Sequence, residues 1–152
     1  MNRNGEVRLK PEWTQRTVPQ EHVGALDVAV IFTSPEITAK VLKRAAEFAS
    51  GLNASVKLVA VYVAPYPADL SCPTALQDHL KNHLSRLAEQ SELPATVELV
   101  VARSREEGYR CALPQSSTVL LGAHTHWWRN REERLARLLA HQGHHVSLLH
   151  FD

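Results

Sequence analysis

The feature that most constrains this chain is a regular alternation of short apolar runs with amphipathic segments. Five runs of strand length, "LDVAVIF", "SVKLVAVYVAP", "ATVELVVA", "STVLLGA" and "HHVSLLHF", are separated by four stretches whose apolar residues recur at helical spacing. The first, "LDVAVIF", is a continuous apolar run with β-branched residues, as expected of a strand buried on both faces. The intervening "TSPEITAKVLKRAAEFASGLN" has Ser34 to cap a helix, Pro35 at its first position, Glu36 near its positive end and Gly51 as its expected stop. Its apolar stripe is Ile37, Val41, Leu42, Ala45, Phe48, Ala49 and Leu52.

The second helix, "TALQDHLKNHLSRLAEQ", has Thr74 and Gln77 in capping-box spacing, with Leu76, Leu80, Leu84 and Leu87 on one face. The third, "SREEGYRCAL", has the same spacing at Ser104 and Glu107, is interrupted by Gly108 and is stopped by Pro114. The fourth, "NREERLARLLAHQG", is capped by Asn130 and Glu133. A β-α-β-α-β-α-β-α-β order specifies an α/β fold: a parallel sheet whose strands are joined by right-handed crossovers, with helices on both faces. In such sheets ligands bind outside the carboxyl ends of the strands, where strand order reverses. The residues that carry function are therefore expected in the loops that follow strands.

Residues 1–24 are polar, contain Pro11 and Pro19, and show one brief apolar alternation at Val7 and Leu9. They are expected to form an arm or linker ahead of one α/β domain over residues 25–152. Seventeen basic against sixteen acidic residues leave a formal charge of +1, which gives no support for a nucleic-acid or anionic-membrane partner. No apolar run approaches the roughly 20 residues of a membrane span, and "MNRNGEVRLKPEWTQRTVPQEH" lacks the apolar core of a signal peptide. A cytoplasmic protein is expected. Cys72 and Cys111 cannot build a disulfide framework and are expected as free, buried thiols.

The five-strand order, the helix lengths, the segment "TVLLGAHT" and the closing "EERLARLLAHQGHHVSLLHF" together resemble a universal stress protein domain, over about residues 26–152. The short "HTHWWR" loop is also similar to the stress-protein-like segment of potassium-sensing histidine kinases. The resemblance implies a three-layer α/β/α fold of the adenine nucleotide alpha hydrolase-like type, with a five-stranded parallel sheet of order 3-2-1-4-5. It implies that Thr33 and Ser34 lie opposite Gly122, Ala123, His124 and Thr125. It further implies an adenine nucleotide, ATP or AMP, in that crevice, held by an Asp after the first strand and a Gly-x-x-Gly-x9-Gly-Ser/Thr segment after the fourth. Glycine is needed there because backbone must approach phosphate closely.

The sequence departs from each part of that pattern. Thr33 stands at the Asp position, Gly122 matches the first glycine, Thr125 replaces the second, and no Gly-Ser or Gly-Thr follows. The candidate nucleotide-binding residues are Thr33, Ser34, Val63, Gly122, His124, Thr125, Arg129 and Arg131. Three readings of "GAHTHWWRNREER" stay open. It is a capped helix start with a tryptophan staple, a modified anion site flanked by Arg129 and Arg131, or a metal site.

Nine histidines invite the metal reading, with His124 and His126 alternating on an extended strand end and His79 and His83 one helical turn apart. The two pairs belong to crossovers on opposite faces of the sheet, His83 falls in a leucine stripe, and His144 and His145 precede the last strand, so no common metal is expected. No nucleophile motif or carboxylate pair supports catalysis, and a non-enzyme is expected.

Two functions of different class follow. One is a non-catalytic binding or regulatory domain with a degenerate nucleotide loop, acting on a protein partner and needing no cofactor. The other is an adenine-nucleotide-binding stress protein. The last strand is expected at a sheet edge, where a second copy would cover it to form a homodimer near Val146, Leu148 and Leu149.

Overall fold

A computed structural model describes residues 14–15, 27–64, 75–93, 95–125 and 130–152. The elements are β1 (Thr14–Gln15), β2 (Asp27–Ile31), α1 (Pro35–Leu52), β3 (Ser55–Val63), α2 (Ala75–Glu89), β4 (Ala95–Ala102), α3 (Arg105–Ala112), β5 (Thr118–His124), α4 (Asn130–His141) and β6 (His145–Phe151). The sheet order is β1-β4-β3-β2-β5-β6. The five parallel strands from β2 onward thus have the expected order 3-2-1-4-5, and the two-residue β1 adds an antiparallel edge, Thr14 opposite Glu98 and Gln15 opposite Val97. The apolar alternation at Val7 and Leu9 lies outside the described residues, as do Cys72 and Thr74.

Because successive side chains along a strand point to opposite faces, the sheet builds two cores. Val28, Val30, Val56, Leu58, Val97 and Leu99 meet Ile37, Val41, Leu42 and Ala45 of α1 and Leu84, Leu87 and Ala88 of α2. Ala29, Ile31, Val59, Val100, Val119 and Leu121 meet Tyr109 and Ala112 of α3 and Leu135 and Leu139 of α4. Each fully buried Ile or Leu contributes roughly 1.5–3 kcal/mol.

The helix signals mark starts better than stops. Ser34 caps α1 and accepts from the Ile37 N–H at 3.4 Å; Ser104 caps α3 and accepts from the Glu107 N–H at 3.2 Å. The stop of α1 is not Gly51, which lies inside the helix, but Asn53 in the left-handed region at φ 52°. Asparagine tolerates that conformation, and the Ala54 N–H closes the helix on the Ala49 carbonyl at 2.9 Å. Nor does Gly108 interrupt α3. The helix runs through it because a Cβ there would meet Val61 Cγ1 at 2.3 Å, so glycine is what lets α3 reach β3. α4 begins at Asn130, whose side chain lies outside the described residues.

Phe48, Leu52 and Leu76 belong to the apolar stripes yet are exposed, the first two in the last turns of α1 and the third in the first turn of α2. Cys111, expected buried, is also exposed. It sits in the last turn of α3, off the face on which Tyr109 and Ala112 are buried. No helix among the described residues is long and apolar enough to cross a membrane.

Candidate functional site

The strand order reverses at β2, whose neighbours are β3 and β5. Pairing of β2 with β5 runs from Val28–Thr118 to Val30–Leu120, while β5 continues beside β6 as far as His124–Phe151. On its other side the Phe32 N–H still donates to the Val59 carbonyl at 2.8 Å. The end of β2 therefore leans towards β3 and parts from β5, which is how a switch-point crevice opens. On one face α3 packs against β3 and β4, and α4 against β5 and β6. Between them lies a cleft of about 50 Å³ lined by Phe32, Thr33, Arg105, Tyr109, Arg131, Glu132 and Leu135.

Local sequence explains the lining. Arg105 and Tyr109 are one turn apart on α3, as are Arg131 and Leu135 on α4, and such pairs share a helix face. Tyr109 and Leu135 are buried anchors in the same core. Each arginine is thereby held at the mouth, half-buried for Arg105 and exposed for Arg131. Burial pushes the Tyr109 phenol up to about 12, against an opposing pull from the nearby Arg105 and Arg131. It is therefore a neutral hydroxyl at physiological pH. Thr33 Oγ1 is buried with no hydrogen-bond partner among the described residues, although the Thr33 N–H donates to Thr38 Oγ1 at 3.1 Å. Neither Arg105 nor Arg131 has a carboxylate partner among the described residues.

Of the expected site residues, the structure brings Thr33 and Arg131 together in this cleft. Ser34 is occupied as the α1 cap. Gly122 is inside the β5 ladder opposite Leu149, and a Cβ there would stand 2.5 Å from Ile37 Cγ2 and 2.6 Å from Val41 Cγ2. Its missing side chain thus admits α1. The Thr125 hydroxyl donates to Asp152 Oδ1 at 2.6 Å, and its N–H donates to the Phe151 carbonyl at 2.9 Å. His124 is exposed at the end of β5, and Val63 is exposed at the end of β3, where neither lines the cleft. Arg129 and His126 lie outside the described residues.

His83 is half-buried, edge-on to Phe32 with ring centroids 6.4 Å apart, on the helix face that belongs to the α1 and α2 core. Among the described residues no group of three or more His, Cys, Asp or Glu could hold a metal ion.

Sequence reasoning missed Arg105, Tyr109 and Glu132. The available signal was a tyrosine one turn after an arginine in an otherwise charged eight-residue helix that follows a strand. The loop after β4 reaches the same crevice as those after β2 and β5.

No family model matches the chain, and no curated protein matches it. Solved structures do. A universal stress protein from Archaeoglobus fulgidus superposes with a TM-score of 0.58 at 12% identity, over 84% of this chain and 93% of that one. The universal stress protein from the same organism in complex with dAMP gives 0.54 at 13% identity, over 84% and 98%. The chain has the fold of the universal stress proteins. At these identities the likeness extends to the fold alone.

Proposed function

We propose that the protein is a non-catalytic binding and regulatory domain of the universal stress protein family, whose ligand site is the switch-point cleft and whose glycine loop has become structural. The observation that carries this reading is the use made of the loop positions. Gly122 is committed to packing under α1, and the Thr125 hydroxyl is committed to Asp152. Backbone N–H groups that would cradle a phosphate chain need glycines free of such roles. A non-catalytic role fits a lining that holds no histidine or cysteine and whose Tyr109 stays protonated at neutral pH.

A second reading, an adenine-nucleotide-binding stress protein holding ATP or AMP, is favoured by one observation: two guanidiniums without a carboxylate partner among the described residues line the crevice. A similar fold has also been solved in complex with dAMP. Thermal-shift titration separates the two. The first reading expects less than about 1 °C of stabilisation by millimolar ATP. A shift of several degrees, which mass action gives when ligand far exceeds Kd, would replace it with the second.

The edge strand β6 supports self-association. Val146 and Leu148 lean on the α3 and α4 core and Leu149 on the other, all only half-buried, beside an unpaired strand edge. A homodimer through β6 is part of the proposal, and sedimentation as a monomer at micromolar concentration would remove it. A regulatory protein partner and a cytoplasmic setting complete the reading.

A further inference from the structure

We infer that the cleft formed by Thr33, Arg105, Tyr109 and Arg131 is a binding site for a single phosphoryl group, that of a phosphate monoester. The inference rests on the reading of the switch point as a ligand site, and goes beyond it by assigning recognition to side chains in place of a glycine loop.

Four donors converge there. Arg105 and Arg131 carry guanidiniums without carboxylate partners among the described residues, and guanidinium pairs phosphate oxygens in a bidentate fork. The Tyr109 hydroxyl donates while neutral, and Thr33 Oγ1 is a buried hydroxyl without a partner among the described residues. Buried polar atoms are rarely left so, and each such case asks for a group that completes it. Both helices that line the cleft begin at this edge of the sheet, α3 after β4 and α4 after β5, so their positive ends add to the same field.

Size and sign narrow the ligand. A water needs about 10–15 Å³ of such space, so about 50 Å³ holds a few water-sized oxygens, the scale of one phosphoryl group and not of a triphosphate. Glu132 lines the cleft as well, and its carboxylate repels a second anionic group. Two guanidiniums against one carboxylate leave a modest positive balance, enough for one phosphoryl. The phosphoryl group of a nucleoside monophosphate and that of a non-nucleotide monoester present the same chemistry.

Calorimetric titration at low salt tests the site, with inorganic phosphate as the probe and AMP and ATP as further arms. The wild-type protein is expected to bind phosphate with Kd on the order of 1 mM, and ATP no more tightly than AMP. Losing one charge-assisted contact is expected to weaken phosphate at least about 10-fold in Arg105→Gln and Arg131→Gln, and about 3-fold in Tyr109→Phe. The arginine variants keep the wild-type melting temperature without phosphate, since both side chains reach solvent, and Arg105→Lys recovers part of the affinity.

Absence of phosphate binding at tens of millimolar, or unchanged affinity in Arg105→Gln and Arg131→Gln, overturns the site. AMP binding that survives both substitutions also overturns it, while leaving the switch point a ligand site. AMP bound more tightly than phosphate and lost in Arg105→Gln supports the site and assigns its phosphoryl to a nucleotide. AMP bound no better than phosphate supports it and assigns a non-nucleotide monoester.

Discussion

The two faces of the sheet are covered by helices of very different length. α1 has 18 residues and α3 has eight, so they span about 27 Å and about 12 Å, against a β4 of eight residues that spans about 26 Å. Towards α1 and α2 the strands β2, β3 and β4 present Val28 and Val30, Val56 and Leu58, and Val97 and Leu99. Towards α3 and α4 the same strands also carry charge, at Lys57 and Glu98, and the short α3 itself begins on the charged Arg105. Beyond the end of α3, Lys57 pairs with Glu98 and donates to the Ala112 carbonyl at 3.2 Å; at its start, Arg105 opens into the cleft. A short crossover helix leaves sheet uncovered at both its ends, and there polar side chains replace apolar ones. The proposed ligand site is one of those two uncovered ends.

Adjacent residues of β4 put the comparison to its largest test. Leu99 is fully buried towards α1 and α2, and Leu99→Ala is expected to cost about 3 kcal/mol in chemical denaturation through lost burial and a cavity. Glu98, buried towards α3, is expected to cost about 2 kcal/mol as Glu98→Ala, because Lys57 loses its partner but keeps some solvent. The double variant Lys57→Met with Glu98→Leu should recover wild-type stability or exceed it. If that double variant is less stable than Glu98→Ala, the polar end of this face is a requirement of packing and not a consequence of helix length.

The two packed glycines are the next test. Gly122→Ala places a Cβ against two branched side chains of α1, Ile37 and Val41, with Phe151 at 3.2 Å, and is expected to cost about 2–3 kcal/mol. Gly108→Ala meets only Val61, and alanine in mid-helix returns up to about 1 kcal/mol, so about 1–2 kcal/mol is expected. Equal losses in a melting comparison would mean that α3 is held as rigidly as α1.

Most of the fold was legible in the sequence because its signals are local. Apolar runs, the serine caps at Ser34 and Ser104 and the four amphipathic patterns need only neighbouring residues, and alternation then dictates the parallel sheet. The site was less legible. Thr33 and Arg131 were reachable through the switch-point rule, since both follow strands that border it. Arg105 and Tyr109 were not, because their value depends on which helices flank the end of β2, a long-range fact. Gly122 was read as a phosphate glycine and Gly108 as a helix breaker for a related reason. A glycine looks the same in sequence whether it frees the backbone for a ligand or clears space for a helix, and only the atoms at 2.3–2.6 Å decide.

The smallest expected effect concerns the turn that leads from α4 to β6. His144 is buried there and accepts the Ser117 N–H on Nδ1 at 3.2 Å, which requires that nitrogen to be unprotonated. Burial, with the neighbouring His145 adding to it, holds His144 below the ordinary histidine value. The unfolded chain therefore takes up a proton at a higher pH than the folded one. Stability from this group is complete above the unfolded value of about 6.5 and falls as pH drops below it, until the folded histidine also protonates. Denaturation midpoints measured between pH 8 and pH 5 should fall less in His144→Asn than in wild type. An equal fall in His144→Asn and in wild type would remove the role that this bond gives His144 in the turn.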